Sequence, residues 1–326
     1  MKLIVQIPCY NEAENIAEVI AAIPRDIEGV DQVAVMIIDD GSTDDTVNVA
    51  REAGADIIHR NRRNLGLART FRAGIDRALR EGADIIVNTD GDGQYPGRFI
   101  PDLIAPIVKH EADITIGDRQ THKVAQFSPL KKLLQRYGSA LVARLSDLDI
   151  PDAVSGFRAF SRDAAFDLNI VSSFSYTIES LIQAGRKQYA VTSVPIEVNE
   201  VTRPSRLFRS IHQFLARSGS TMFRMYAMYK PLRLYAYIGT LLMLLGAVPV
   251  VRFIIYYLLG DGSGKIQSLI VGTVLLILGG LAILFGMLAD LISFNRQLSE
   301  MTLERVRRIE IALEAHETPV HPDDEG

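Results

Sequence analysis

Two long apolar runs, Leu232–Leu259 and Ile266–Ala289, constrain this chain more than any other feature of it. Each is longer than the roughly 20 residues that a helix rising about 1.5 Å per residue needs to cross a hydrocarbon layer. They account for the high hydrophobic share, 48% of 326 residues, because the first two hundred residues read as an ordinary α/β protein. Both lie too late in the chain, and run too long, for a signal peptide. Apart from Arg233 at its start, the first run holds one charge, Arg252, near the far end where a long side chain can reach the interface. Residues 232–294 are therefore expected to form a transmembrane hairpin with spans at about 232–259 and 266–289.

The basic residues orient it. Arg217, Arg224, Lys230 and Arg233 flank the first span, Arg296, Arg305, Arg307 and Arg308 follow the second, and the Gly260–Lys265 loop carries a single lysine. This bias predicts a multi-pass cell-membrane protein with the catalytic part and both termini cytoplasmic. The net charge of −4 conceals an asymmetry: Val201–Arg233 contains no acid, yet Arg203, Arg206, Arg209, Arg217, Arg224, Lys230 and Arg233 all fall within it. Leu207, Ile211, Phe214 and Leu215 recur among them at helical spacing, so residues 204–231 are expected as amphipathic juxtamembrane helices on an anionic leaflet. The basic partner is thus a membrane, and no nucleic acid is expected. In the last part, 295–326, Arg296–Ala315 reads as a short cytosolic helix packing on a neighbouring subunit of a homo-oligomer. The acidic tail Glu317–Gly326 reads as disordered. Cys9 is the only cysteine, which rules out an intrachain disulfide.

Residues 1–203 alternate short apolar runs with helical patterns. Strands are predicted at Leu3–Ile7, Val33–Ile38, Asp56–His59, Ile85–Asn88 and Asp113–Ile116, and helices at Glu12–Ala22, Asp44–Ala53, Leu67–Glu81 and Arg98–Lys109. Ser42 or Thr43 is placed to cap the second helix, and Pro96 to open the last. Such alternation implies a Rossmann-like, mainly parallel sheet with helices on both faces and a ligand crevice beyond the carboxyl ends of its strands. Polar clusters sit at three of those ends: Tyr10-Asn11-Glu12, Asp39-Asp40-Gly41-Ser42 and Asp90-Gly91-Asp92-Gly93-Gln94.

The last cluster carries the chemistry. Residues two apart on an extended strand point the same way, so Asp90 and Asp92 can face one cation. Oxygen ligands suit Mg²⁺ or Mn²⁺, which take one or two carboxylates and complete their shell with substrate phosphates. No G-x-G-x-x-G or G-x-x-x-x-G-K-[ST] motif occurs, so neither a dinucleotide fold nor a P-loop is supported.

Taken together, Ile7-Pro8-Cys9-Tyr10-Asn11-Glu12, Asp39-Asp40-Gly41-Ser42-Thr43-Asp44, Asn64-Leu65-Gly66 and Asp90–Gln94 resemble the GT-A core of family 2 glycosyltransferases. Gly117-Asp118-Arg119 and Ser155-Gly156-Phe157-Arg158 are similar to the branch that includes dolichol-phosphate mannose synthase and polyprenyl-phosphate glucosyltransferases. The resemblance spans roughly the first 210 residues and, more loosely, the hairpin. It implies inverting transfer of one sugar from a UDP- or GDP-sugar to a polyprenyl phosphate, undecaprenyl or dolichyl. It also implies roles for single residues. Pro8, Tyr10, Glu12 and Asp39 would meet the nucleoside, with Asp40 assisting. Asp90 would join them at the nucleotide and, with Asp92 and Gln94, would hold the metal. Arg119, Arg158, Arg203, Ser205 and Arg206 would serve the phosphates of donor and acceptor, the arginines and Asp92 forming the catalytic set. The turn at Thr202-Arg203-Pro204-Ser205-Arg206 is compressed relative to the family pattern, which leaves open which arginine meets the phosphate.

Two other functions remain open on the residues alone. A processive polysaccharide synthase shares the core but resembles its relatives in a Gln-x-x-Arg-Trp segment, and this chain has no tryptophan. A catalytically silent membrane scaffold would have no use for both aspartates and the phosphate-type arginines.

Overall fold

The computed structural model describes residues 1–120, 139, 142–143, 146–170, 176–199, 220, 223–224, 226–260 and 266–317. Aliphatic and β-branched runs form β1 (Lys2–Cys9), β2 (Gln32–Asp39), β3 (Ile57–Arg60), β4 (Ile85–Asn88), β5 (Ile114–Asp118), β6 (Arg158–Ser161) and β7 (Val191–Pro195). They join into one sheet ordered β3-β2-β1-β4-β6-β5-β7. The β1–β2, β1–β4, β2–β3 and β5–β7 pairs are parallel, whereas β6 runs antiparallel to both β4 and β5. The expected mainly parallel α/β sheet is present. Strands β6 and β7 were not legible beforehand, because Arg158-Ala159-Phe160-Ser161 is only four residues long and opens on a charge.

Pro8 sits in a central strand, a position that proline normally avoids. The Gln6 carbonyl accepts from Thr89 N–H, so Gln6 and, two residues on, Pro8 both turn toward β4. The β1–β4 register ends at Gln6 and Asn88, so the missing N–H of Pro8 interrupts no bond.

The helices of this part are α1 (Ile16–Ala21), α2 (Thr46–Glu52), α3 (Leu67–Arg80), α4 (Ile100–Val108), α5 (Arg162–Asp167) and α6 (Tyr176–Arg186). Leu3, Val5 and Ile7 of β1 pack with Ile16 and Ile20 of α1 and with Ile100, Leu103 and Ile104 of α4 in one buried cluster. On the opposite face, buried Phe71 of α3 stacks on Tyr176 with ring centroids 4.0 Å apart and meets Phe160 edge-on at 6.0 Å. Two expected helix starts are corrected. Asp45 occupies the N-cap of α2, preceded by Asp44, whose carboxylate accepts from Thr46 N–H at 3.1 Å; neither Ser42 nor Thr43 caps it. Pro96 is extended ahead of a 3₁₀ turn at Gly97–Phe99, and Pro101 holds the first-turn position of α4.

Backbone packing divides the chain into two compact units, Met1–Leu207 with Leu303–Gly326, and Phe208–Thr302. The second unit contains α7 (Pro231–Leu258) and most of α8 (Ile266–Glu317), both long and apolar enough to cross a membrane. The separate helix expected at Arg296–Ala315 is a continuation of α8. Gly239 and Gly246 of α7 face Gly279 and Gly272 of α8: a Cβ on Gly239 would lie 2.6 Å from Gly279 O, and one on Gly272 would lie 2.8 Å from Gly246 O. Glycines seven residues apart on each helix thus let the two backbones touch along one seam. Leu241, Leu244, Val248, Ile277 and Leu284 point outward, as lipid-facing side chains should.

Candidate active site

Parallel pairing brings Cys9 of β1 level with Asp39 of β2 at the carboxyl edge of the sheet. There the two following loops are stitched together. Asn11 N–H donates to Ser42 Oγ at 2.9 Å, and Asn11 Oδ1 accepts from Thr43 N–H at 2.8 Å. Glu12 N–H donates to Thr46 Oγ1 at 2.9 Å, and the Glu12 carbonyl opens α1 by accepting from Asn15 and Ile16 N–H. Asp39 is fully buried. Its carboxylate accepts from Ser42 N–H at 3.2 Å and pairs with Arg60 Nε at 3.2 Å. Gly41 needs to be glycine twice over: its φ is +76°, and a Cβ would meet the Arg63 backbone at 2.7 Å. Gly41, Ser42, Thr43, Arg60, Asn61 and Arg62 line an open pocket of about 480 Å³. Tyr10 stands exposed beside these loops, whereas Pro8 is buried within β1.

Asp40 takes a different task from the nucleoside contact expected of it. Its buried carboxylate accepts from Asn61 Nδ2 at 2.9 Å, Leu65 N–H at 2.8 Å and Gly66 N–H at 2.9 Å. It therefore shapes the Asn64-Leu65-Gly66 turn that starts α3.

Next to this wall the two aspartates lie in the turn after β4, which ends at Asn88, so the loop and not the strand alternation expected of them sets their directions. Asp90 is partly exposed and Asp92 exposed. Burial, then the charge of Asp92 and, to a lesser degree, that of Glu12, push the Asp90 carboxyl up to about 7 against the pull of Arg119. Among the described residues nothing donates a hydrogen bond to Asp90. Asp92 Oδ1 accepts Gln94 N–H at 3.0 Å, and Asn199 braces the same loop by bonding Gly93 O at 2.9 Å and Gln94 O at 3.0 Å. A carboxylate crowded by negative charge and lacking donors fits a divalent cation, which would relieve both penalties. The described residues form no group of three or more potential ligands. That sparse set matches Mg²⁺ or Mn²⁺, whose shells keep waters and substrate oxygens.

A second loop, Asp152–Gly156, backs onto Asp90. A Cβ on Gly156 would lie 3.1 Å from Asp90 Oδ2. Gly156 N–H donates to Tyr95 Oη at 3.2 Å, and Gly156 O accepts from Asn88 Nδ2 at 2.9 Å. Arg119 engages the same loop. It is 11% exposed, and its guanidinium forks onto the buried Asp152 carboxylate, Nε at 2.7 Å and Nη2 at 2.9 Å. Its charge still acts on Asp90.

Arg158 is not brought to the crevice, contrary to the phosphate contact expected of it. It is wholly buried, and burial lowers it to about 10. Nε donates to Ser155 O at 2.8 Å, Nη1 to Thr177 O at 2.7 Å and Ser180 Oγ at 2.8 Å, and Nη2 to Ala153 O at 2.8 Å. It organises the loop behind Asp90 from within the protein. Arg203, Ser205 and Arg206 lie outside the described residues.

Arg60, Asn88, Tyr95, Asp152 and Tyr176 belong to this site and escaped the sequence reading. Asn88 carried the one available signal, an amide ending an apolar strand; the others are assembled by chain crossings that spacing does not reveal. Glu179 of α6 is fully buried. Cys9 is buried, and burial together with Asp39 and Glu12 pushes its thiol well up, making it an inert packing group.

An α/β sheet with a lined pocket and paired aspartates at its carboxyl edge has its ligand crevice where open α/β sheets carry one. The Glycosyl transferase family 2 model matches residues 4–168, just over half of the chain, and the chain belongs to that family. It is therefore a glycosyltransferase. It is 30% identical over 202 residues to the dolichyl-phosphate hexose transferase of Haloferax volcanii, covering 61% of this chain and 83% of that protein. It is 27% identical over 207 residues to the undecaprenyl-phosphate mannosyltransferase of Micrococcus luteus, covering 60% and 83%. Among solved structures, glucosyl-3-phosphoglycerate synthase from Mycobacterium tuberculosis, in complex with Mn²⁺, UDP and phosphoglyceric acid, shares the fold with a TM-score of 0.53. That likeness covers 69% of this chain and 77% of that one at 20% identity.

Proposed function

We propose that this protein transfers a single sugar, with inversion, from a nucleotide diphosphate sugar to a polyprenyl phosphate at the cytoplasmic face of the membrane. The observation that carries this reading is the Asp90–Asp92 pair. It follows β4 at the same carboxyl edge of the sheet as the pocket lined by Gly41–Thr43, in a chain whose α7 and α8 are long and apolar enough to cross a membrane. The relatives from Haloferax and Micrococcus, named for dolichyl-phosphate and undecaprenyl-phosphate, support the acceptor class.

In this reading, Pro8, Tyr10, Glu12, Asp39 and the Gly41–Thr43 turn hold the nucleoside, with Arg60 fixing Asp39. Asp90 and Asp92, with Gln94 beside them, would hold Mg²⁺ or Mn²⁺, which when bound would neutralise the charge of the departing diphosphate. The acceptor phosphate, with a second pKa near 6, is already an anionic nucleophile at neutral pH, so no general base is required. One of its oxygens bonds to the anomeric carbon from the face opposite the diphosphate, and the pair of electrons of the breaking C–O bond leaves with the diphosphate. Two anions must meet, and Arg119, clamped by Asp152, supplies positive charge beside Asp90 without reorienting. Arg203 and Arg206 complete the acceptor side.

The test is release of nucleotide diphosphate by purified protein, supplied with Mn²⁺, a polyprenyl phosphate and a panel of UDP- and GDP-sugars. Release with one sugar that depends on the lipid is expected. A lipid-independent release, or none with any donor, would overturn the proposal.

A further inference from the structure

The end of α8 carries charges that answer, sign for sign, those of the catalytic domain. Glu304 pairs with Lys187 at the end of α6. Arg307 pairs with Asp76 of α3 at 3.0 Å and donates to Phe166 O at 3.3 Å. Arg308 bonds Asp163 at 2.9 Å and Asp167 at 3.3 Å on α5, and lies over the Phe166 ring 4.5 Å from its centroid. Glu310 and Glu314 both take Arg80 of α3, Glu310 at 2.7 Å. Ile311 is buried in the middle of the contact.

Isolated surface ion pairs contribute little, but the order of signs matters more than the number of pairs. Along the segment the charges that meet the catalytic domain, Glu304, Arg307, Arg308, Glu310 and Glu314, read minus, plus, plus, minus, minus. A slip of one helical turn would set like charges against each other, so the pattern specifies one register. The grip falls on the far end of α3, about 20 Å by helix rise from Gly66, where α3 meets the Asp40-bound turn. The gripping segment is continuous with the second apolar run.

We propose that residues 303–314 are a charge-coded clasp by which the second membrane helix holds the catalytic domain, required for an acceptor embedded in a bilayer and dispensable for a soluble one. This rests on the acceptor class proposed above. Losing the clasp leaves catalytic chemistry intact but lowers the effective concentration of the domain at its lipid substrate.

The test uses the full-length protein in nanodiscs. Arg307→Glu with Arg308→Glu should speed hydrogen exchange at 303–314 and at the end of α3. It should lower transfer to a long-chain, bilayer-embedded polyprenyl phosphate about tenfold and leave transfer to a short-chain, water-soluble one unchanged. The charge-conserving Arg307→Lys with Arg308→Lys should retain wild-type exchange and rates, which separates lost pairing from a misfolded domain. Equal losses on both acceptors, or no loss on either, would overturn the clasp. Should wild-type protein act on neither acceptor, the proposed function falls, and rapid exchange at 303–314 in wild type would then overturn the clasp as well.

Discussion

The catalytic domain and the hairpin pack by opposite means. In the first, bulky side chains fill the space between sheet and helices: Leu3, Ile7, Met36, Phe71 and Phe160 are all fully enclosed. In the second, the large side chains point outward and the helices meet through Gly239, Gly246, Gly272 and Gly279. The difference follows from the solvent. In water, hiding apolar surface drives folding, so each buried side chain contributes. In lipid, the surroundings are as apolar as leucine, and close contact between backbones is what remains to be gained. One chain thus uses two packing rules, and apolar content alone does not tell which applies.

The largest expected effect tests whether the chemistry belongs to the first region alone. Asp92→Ala should reduce nucleotide diphosphate release at least about a hundredfold with an unchanged unfolding temperature, since Asp92 is exposed and its one bond to a neighbouring N–H is local. Near wild-type turnover would sink the metal assignment. Phe71→Ala should destabilise the catalytic domain by about 3–5 kcal/mol, read by denaturant unfolding, because the ring stacks on Tyr176 and meets Phe160.

Gly279→Leu sharpens the contrast. An added Cβ would lie 2.5 Å from Met243 Cγ and 2.7 Å from Gly239 O, so overpacking should cost the hairpin about 1–3 kcal/mol. Cysteine accessibility along the seam would report it, and denaturant unfolding of the catalytic domain should not change. If this change weakened the domain as much as Phe71→Ala does, the two-rule description would fail.

The smallest effect is electrostatic. Asp90 holds its proton up to about pH 7 when folded, whereas an unfolded aspartate loses it near 4. The folded state therefore binds more protons across this window, and on account of this group stability is greatest below about pH 4, declines toward pH 7 and is level above. A bound divalent ion offsets that cost. Mn²⁺ should raise the unfolding temperature by a few degrees at about pH 8 and scarcely at about pH 5. Asp90→Asn should remove both the slope and the Mn²⁺ response, measured by thermal denaturation.

Much of this was legible in the residues. The alternation through residue 118 foretold that β1 to β5 and α1 to α4 exist and in what order, because each is a local pattern of burial, while helix starts such as that of α1, four residues later than expected, depended on loop contacts. The apolar runs foretold α7 and α8 because a membrane span is set by length and composition. Local signals failed where a side chain had two chemically sound destinations. Asp40 and Arg158 have the residue types of ligand contacts, and both are enclosed and satisfied by backbone groups from other segments. The seven-residue spacing of glycines was visible, but its meaning required the partner helix.

What the order of residues determined by itself was the sheet's polarity, the carboxylate pair at a strand end and the two apolar helices, since each follows from periodicity within a short window. Tertiary structure alone decided that Asp152 clamps Arg119, that Arg158 serves the loop behind Asp90, and that the end of α8 grips the catalytic domain. Those outcomes depend on which charged groups meet across long stretches of chain, which no short window of residues contains.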